Sequence, residues 1–302
     1  MRYVWVMVVC LFFVLGCEDQ PSATKVDLSL TEEVIPTVEP DSISYAYLPQ
    51  YSHTVSHTRH NALIKYLCVE TGLNIRQIFP DTFEQHMKMV GEKKVDISFS
   101  NPFVYVKIAG RYGARAFARS IEGDNRKTFR GQIICRRDNA AITALADCSG
   151  KRWIAVDATS AGGFLFPLGL FLDNGITKSD FSEIAFAPGP GGKQEKVILS
   201  VFAGKYDIGT IREGALAVVA GKIDLNKIRV VAMTPHFPGW VYAARKDLDV
   251  TIVKKVGQAL ERLDIHDEAH RSILEAAHFV GVIPGCDSDF DSVRALAARI
   301  KE

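Results

Sequence analysis

The sequence has almost no net charge and no long apolar segment beyond its first residues. Its 36 lysines and arginines are balanced by 35 acidic residues, so the formal net charge is +1. A nucleic-acid-binding protein usually carries a clear basic excess on one face, and this balance gives no support for such a partner. No apolar run after the amino terminus approaches the length that spans a bilayer, so we expect no transmembrane helix there.

Cysteine is also scarce, and no spacing of cysteine and histidine suits a metal. The six cysteines are Cys10, Cys17, Cys68, Cys135, Cys148 and Cys286. In an oxidising compartment the last four would allow two disulfides in three connectivities. For Cys68, which falls on an apolar helix face, a buried free thiol is an equal alternative. We expect no metal and no cofactor.

The amino terminus has the pattern of a secretion signal. A positive start, Met1-Arg2, precedes the apolar run Val4–Leu15, which is too short for a mature transmembrane helix. The run ends in Val-Leu-Gly-Cys17, which resembles the bacterial lipobox. Residues 1–16 are therefore predicted to be a signal peptide, with Cys17 lipidated and held at a membrane surface on the periplasmic side. An uncleaved anchor helix is the alternative.

Residues 17–41 are predicted to be an acidic, flexible tether. Glu18–Asp41 contains seven acidic residues, one lysine and three prolines, with no sustained periodicity. Such a segment would hold a folded domain away from the membrane.

The remainder of the chain alternates predicted strands and helices. Ser42–Leu48, Asn74–Phe79 and Val95–Phe99 have the composition of strands, and His57–Thr71 and Asp81–Gly91 have that of helices. This alternation predicts an α/β fold with mainly parallel sheets and flanking helices.

A repeated phrase indicates two similar lobes. The run ending in Val95-Asp96-Ile97 recurs in Gly204–Gly209, again between a predicted helix and a strand. We assign residues 42–132 and 242–302 to lobe 1 and residues 133–241 to lobe 2. Gly131–Arg137 and Trp240–Arg245 are predicted to be the two hinge strands that cross between them. A cleft between two such lobes is a usual place for a small ligand.

The segment Lys151–Gly175 is the strongest local candidate for a binding site. A short apolar strand, Trp153–Val156, is followed by a turn of small residues and then an apolar helix. The free N–H groups and the dipole at a helix start attract an anion, and glycines at 162 and 163 would let it approach closely. The alternative is an ordinary strand-to-helix connection.

Several phrases, in this order and spacing, resemble one family. They are Val95–Val106, Phe129–Ile134, Leu145–Arg152, Asp157–Pro167, Gly192–Asp207, Arg245–Leu248 and Asp289–Arg294. The resemblance, over about residues 42–300, is to the PhnD-like periplasmic substrate-binding proteins of phosphonate, phosphite and phosphate ABC importers. It implies a two-lobed type II periplasmic-binding-protein fold, a small anionic ligand in the cleft and an ABC permease as partner.

The resemblance also implies binding residues. In the family, a Ser-Thr-Ser-Gly turn holds the phosphonate oxygens; here that turn is Ser160, Ala161, Gly162 and Gly163, with Thr159 adding a hydroxyl before it. The family histidine before the next helix corresponds to Gln194, which donates hydrogen bonds without a charge. Tyr105 corresponds to the cleft tyrosine of the first lobe.

Positions at strand ends supply the other candidates. Arg212 and Glu213 follow a predicted strand, where the arginine would clamp a phosphonate or carboxylate; a surface pair between the two is the alternative. Tyr47 and Tyr51 follow the first strand, with a polar surface loop as the alternative. Asn101 ends the third strand and would donate to the ligand.

We therefore expect a monomeric, lipid-anchored solute-binding protein that is not an enzyme. A ligand-sensing lipoprotein of the same fold, acting on a membrane signalling partner, is the alternative. A hydrolase using Ser160 is disfavoured, because the surroundings Ala-x-Ser-x-Gly lack the first glycine of a nucleophile elbow and no base or acid partner is evident.

Overall fold

The computed structural model describes residues 42–123 and 126–300. The predicted signal peptide, Cys17 and the tether lie outside these residues. The strands are β1 Ile43–Tyr47, β2 Ile75–Ile78, β3 Ile97–Ser100, β4 Arg115–Glu122, β5 Thr128–Phe129, β6 Gly131–Arg136, β7 Arg152–Ala155, β8 Glu183–Phe186, β9 Ile208–Arg212, β10 Ile228–Met233, β11 Phe237–Pro238, β12 Val241–Ala244 and β13 Phe279–Pro284. The helices are α1 His53–Thr71, α2 Phe83–Gly91, α3 Pro102–Tyr112, α4 Phe166–Asp173, α5 Lys193–Phe202, α6 Val250–Glu261, α7 Glu268–Ala277 and α8 Asp291–Arg299.

Two mixed sheets form the centres of two lobes. The first lobe has a six-stranded sheet in the order β13-β4-β12-β3-β1-β2, and the second has a five-stranded sheet in the order β10-β6-β9-β7-β8. Strands β1 to β4 run in one direction while β12 and β13 run against them. In the second sheet only β6 opposes the other four. The predicted two-lobed α/β fold is confirmed. The antiparallel strands are β12 and β13 in the first sheet and β6 in the second.

The segments that connect the lobes differ from those predicted. Gly131–Arg136 lies wholly in the second sheet and Val241–Ala244 wholly in the first, where hydrogen bonding to both neighbours fixes them. The crossings lie just before each of them, and there β5 pairs with β11, placing Phe129 opposite Phe237. The hydrophobic pattern could not separate a crossing segment from the buried strand that continues it.

Local signals in the sequence explain where the helices begin and end. The side chain of Ser52 caps α1 by accepting from the amide of Val55, and Gly72 ends the helix in the left-handed conformation with φ 69°. Asn101 caps α3 through the amides of Phe103 and Val104, with Pro102 at the first helical position.

The repeated Asp-Ile phrase has the same role in both lobes. Before β3, the carboxylate of Asp96 accepts from the amide of Ser44 at 2.8 Å, at the start of the neighbouring β1. Before β9, Asp207 accepts from the amide of Arg152 at 2.9 Å, at the start of the neighbouring β7. Each aspartate thus fixes the start of one parallel strand against the next, as a backbone-orienting residue would.

The interior is mostly apolar, and the cysteines of the described residues form no disulfide. Cys135 and Cys148 are buried, Cys68 is half-buried and Cys286 is exposed, all as free thiols. Within residues 42–123 and 126–300, no helix has the length and apolar character needed to cross a membrane. The same residues contain no group of three or more His, Cys, Asp or Glu side chains placed to hold a metal.

Candidate functional site

A cavity of about 340 Å³ lies between the lobes. Its first-lobe wall comes from the ends of β1, β3 and β4 and from the start of β13, and its second-lobe wall comes from the residues at and after the end of β9. Its charged or titratable lining residues are Arg59, Glu122, Arg126, Arg212, Glu213 and His278. Its aromatic lining residues are Tyr47, Tyr51, Phe99, Trp240 and Phe279.

The aromatic residues form one continuous wall. The ring of Tyr47 lies 5.6 Å from that of Phe99, 5.6 Å from that of Trp240 and 6.4 Å from that of Tyr51, measured between centroids. Phe279 extends the wall, with its centroid 5.3 Å from that of Phe99. Because all five are nearly inaccessible to bulk water, they hold one another in place and give the cavity a rigid apolar side.

Ion pairs supply most of the charged lining of the cavity. Arg212 of β9 donates to the carboxylate of Glu122 in β4, so this pair connects the two lobes. Glu213 is bound by Arg126 at 2.7 Å and by Arg130 at 3.1 Å. The predicted Arg212–Glu213 surface pair is therefore absent, and each residue is paired with a different partner. Arg59 instead places its guanidinium 4.1 Å above the centroid of Tyr51.

The surroundings of Arg212 and Glu213 favour their charged forms, and those of His278 favour its neutral form. Burial opposes the charge of Arg212, but Glu122, Tyr51 and Tyr47 together outweigh burial and raise the arginine pKa. Burial alone would raise the pKa of Glu213, yet Arg130 and Arg126 lower it overall. Burial, and then the charge of Arg59, lower the pKa of His278, so its imidazole is neutral at pH 7.

The turn before α4 is built as a helix start. Ser160 accepts from the amide of Gly163 at 3.1 Å, and residues Ala161–Leu165 form a single π-helical turn that leads into α4. The carboxylate of Asp157 stabilises the turn. It accepts from the amide and hydroxyl of Thr159 and, at 2.7 Å, from the ammonium group of the buried Lys193. Ser160 thus has a capping role in a turn whose first amides have no acceptor within the helix.

A much smaller compartment lies against this turn. It measures about 10 Å³, and its lining residues are Gln50, Phe83, Asn101, Phe129, Ser160, Gly162, Gln194, Arg212 and Trp240. A Cβ on Gly162 would lie 2.9 Å from Phe129 and 3.1 Å from the Cβ of Arg212. In this closed arrangement the compartment has room for about one water molecule.

The structure brings most of the predicted site residues together. Tyr47, Tyr51, Arg212 and Glu213 line the larger cavity. Asn101, Ser160, Gly162 and Gln194 line the smaller compartment, with Arg212 between the two. Within it, Gln194 accepts from the amide of Arg212 at 3.1 Å.

Four predicted residues line neither space. Tyr105 is buried on α3, where its hydroxyl donates to Asp287 and accepts from the amide of Ala116. Thr159 uses its hydroxyl on Asp157 and its carbonyl, at 3.4 Å, on Asn101. Ala161 and Gly163 are buried inside the turn. Residue type and family position identified them, but neither determines on which side of a helix or turn they lie.

Several residues that line the cavity are not among the binding residues predicted from the sequence. Arg59 lies inside α1, which had no site signal, and Glu122 and His278 end a strand and a helix far apart in the chain. The sequence predicts Trp240 only as the first residue of a hinge strand, yet it lines both spaces. Its buried indole N–H has no acceptor among the residues that the structure describes.

Comparison with known proteins adds a family and a fold. A family model described as "ABC transporter, phosphonate, periplasmic substrate-binding protein" matches residues 45–290. The chain is 24% identical over 276 residues to the phosphate-import protein PhnD of Mycolicibacterium smegmatis, covering 84% of each. The solved PhnD1 of Prochlorococcus marinus, in complex with methylphosphonate, superposes with a TM-score of 0.78 at 16% identity, covering 87% of this chain and 99% of that one. A Xanthomonas citri protein bound to ATP gives a TM-score of 0.70 at 16% identity, covering 86% and 97%.

Proposed function

Because the chain belongs to the family of periplasmic substrate-binding proteins of phosphonate ABC transporters, we propose that it binds a small phosphonate-, phosphite- or phosphate-like anion between its lobes. It would then deliver this anion to an ABC permease. Members of this family bind substrate for transport, which confirms the prediction that the chain is not an enzyme.

The position of Arg212 is the observation that carries the proposal. Its guanidinium lies between the 340 Å³ cavity and the compartment at the Ser160 turn, and it contacts both lobes. A guanidinium offers five N–H donors in a planar fork, so the bond to Glu122 leaves donors for an oxyanion. An anion bound there would contact both lobes and favour their closure.

The solved relatives hold phosphorus-containing ligands of different sizes. The Prochlorococcus marinus protein was solved with methylphosphonate and the Xanthomonas citri protein with ATP. Related folds thus hold phosphorus oxyanions of very different size, and the cavity here is large enough for more than the smallest of them.

Binding would work by lobe closure without chemistry. The lobes would separate about the paired strands β5 and β11, admit the anion and close on it. The cross-lobe contacts that would break and form again include the Arg212–Glu122 pair and the hydrogen bond from Asn101 to Thr159. The permease would then recognise the closed form.

We propose further that the chain is held at the membrane by a lipid on Cys17, outside the described residues. The support is the sequence Val-Leu-Gly-Cys after an apolar run. Metabolic labelling with a palmitate analogue should label the wild type and not Cys17→Ser. A wild type that stays unlabelled and is recovered without membranes would contradict the anchor while leaving ligand binding intact.

The test of ligand binding is thermal unfolding of a soluble chain starting at Ser42, with phosphate, phosphite and phosphonates of increasing size. A ligand at about one hundred times its dissociation constant stabilises the folded state by about 2.7 kcal/mol, a shift of a few degrees. Arg212→Gln should remove the shift, and Arg262→Gln, which removes a surface guanidinium paired with Glu70, should keep it. No shift with any member of the panel would overturn the proposal.

A further inference from the structure

The larger cavity gives more information about the ligand than the family does. We propose that the preferred ligand is a phosphonate or phosphate ester with an aromatic substituent. Its anionic group would be held by Arg59 and Arg212, and its ring would lie against the Tyr47–Tyr51–Phe99–Trp240–Phe279 wall. This inference rests on the proposed function and specifies the substrate class of the same site.

The first argument is room. With the lobes closed, the compartment at the Ser160 turn holds about 10 Å³, so no phosphonate fits there without opening the protein. The cavity on the other side of Arg212 and Trp240 holds about 340 Å³. That is roughly thirty times the volume of the compartment. An inorganic oxyanion would leave most of the cavity filled with water, whereas a ligand with an aromatic substituent would displace that water.

The second argument is charge. The two carboxylates of the cavity are already matched, Glu122 by Arg212 and Glu213 by Arg126 and Arg130. Arg59 has no acidic partner in the part of the chain that the structure describes, and the neighbouring His278 is neutral at pH 7. The cavity therefore keeps one guanidinium available for an anion.

The third argument is the arrangement of Arg59 itself. Its guanidinium lies 4.1 Å above the ring centroid of Tyr51, whose own ring is buried in the aromatic wall. Stacking holds the donors of Arg59 at the cavity side without using them on an acid, so little side-chain freedom is lost when an oxyanion binds. Aromatic rings without these arginines would suit a cation; with them, the cavity suits a ligand that has an aromatic part and an anionic part.

The experiment is isothermal titration of phenylphosphonate and of methylphosphonate into the soluble chain at neutral pH. The two probes share the anionic group and differ in the substituent. Burying a phenyl group in place of a methyl against the aromatic wall should tighten binding about tenfold or more. This comparison uses the wild type and does not depend on the folding of a variant.

Two variants then locate the anionic group. Arg59→Gln should weaken phenylphosphonate binding about tenfold or more, because it removes a charge-assisted hydrogen bond. Ser160→Ala, which changes the turn at the smaller compartment, should alter the affinity by less than about threefold. Circular dichroism and the melting temperature verify that each variant is folded, and Arg262→Gln controls for loss of a surface charge.

The outcomes separate this inference from the function on which it rests. If methylphosphonate binds as tightly as phenylphosphonate, or if Ser160→Ala abolishes binding and Arg59→Gln does not, the aromatic ligand is wrong and the phosphonate-binding function stands. If neither phosphonate binds, the proposed function is overturned and this inference with it.

Discussion

Arg212 and Glu122 form an ion pair across the interlobe cavity, joining β9 of one sheet to the end of β4 of the other. Their side chains are only 10% and 25% exposed, so solvent screens the pair far less than it would a surface pair. The carboxylate of Glu122 thus occupies part of the guanidinium that an anionic ligand would use. Glu122 and the ligand compete for Arg212, while both favour contact between the lobes.

Glu122→Gln should therefore tighten anion binding. Removing the carboxylate frees Arg212 and lowers the negative charge beside the ligand, so we expect the dissociation constant for methylphosphonate or phenylphosphonate to fall about three- to tenfold. Arg212→Gln should have the opposite effect, a loss of about tenfold or more, since it removes a charge-assisted donor. Isothermal titration measures both. Weaker binding by Glu122→Gln would show that Glu122 supports the ligand rather than competing with it.

Gly163→Ala should destabilise the turn before α4. An added Cβ would lie 2.4 Å from Cγ2 of Val156 and 2.8 Å from the Oγ of Ser160, so buried atoms must shift. Overpacking of this kind costs about 1–3 kcal/mol of unfolding free energy, measured by urea denaturation. Gly221→Ala is the matched control, because nothing lies within 4 Å of its added Cβ. Equal stability of the two variants would contradict the tight packing of the turn.

Asp96→Asn should test the role of the repeated aspartate. The Asp96 carboxylate is mostly buried and accepts from the amide and hydroxyl of Ser44 and, at 2.6 Å, from Arg245. Removing its charge leaves the arginine without its partner, so we expect a loss of about 2–4 kcal/mol. Asp247→Asn, which removes an exposed pair with Lys93, should leave stability nearly unchanged. Urea unfolding of both variants gives the comparison.

The free energy of unfolding should fall as the pH drops below about 6.5. Burial lowers the pKa of His60 and of His86 to about 3, so both stay neutral in the fold while an unfolded chain protonates them below about 6.5. Between these values the unfolded state binds more protons, and each histidine removes up to about 1.4 kcal/mol per pH unit.

His86→Gln should reduce the slope of the unfolding free energy against pH by the contribution of one histidine. The exposed His266→Gln serves as the control and should leave the slope as in the wild type. Urea titrations between pH 7 and pH 5 measure the slopes, a range in which most carboxylates stay ionised. Identical slopes for His86→Gln and the wild type would mean that His86 takes up its proton over the same pH range in the folded and the unfolded chain.

The parts of the structure that depend on local pattern were predictable from the sequence. The alternation of strands and helices, the two lobes and the equivalence of Asp96 and Asp207 all follow from periodicity and from one repeated phrase. The Ser160 turn was located for the same reason, because strand, small residues and helix are consecutive there.

The assembly of the cavity was not predictable in this way. Arg59 is on a helix face, Glu122 ends a strand and His278 ends another helix, and only the packing of distant segments brings them together. Tyr105 illustrates the reverse case, since its position in the chain matched the family while its hydroxyl binds Asp287 outside both spaces. Side-chain direction depends on tertiary contacts that a single sequence does not contain.

The order in which the chain passes through its two lobes determines which sheet can be completed first. All strands of the five-stranded sheet lie within residues 131–233, an uninterrupted stretch. The six-stranded sheet places β12 between β3 and β4, so its centre stays open until Val241–Ala244 has arrived. For a chain exported amino end first, the second lobe can fold while the first still waits for its carboxyl-terminal strands. A nascent chain stopped before residue 241 would hold all five strands of the second sheet beside a first sheet that lacks its central strand.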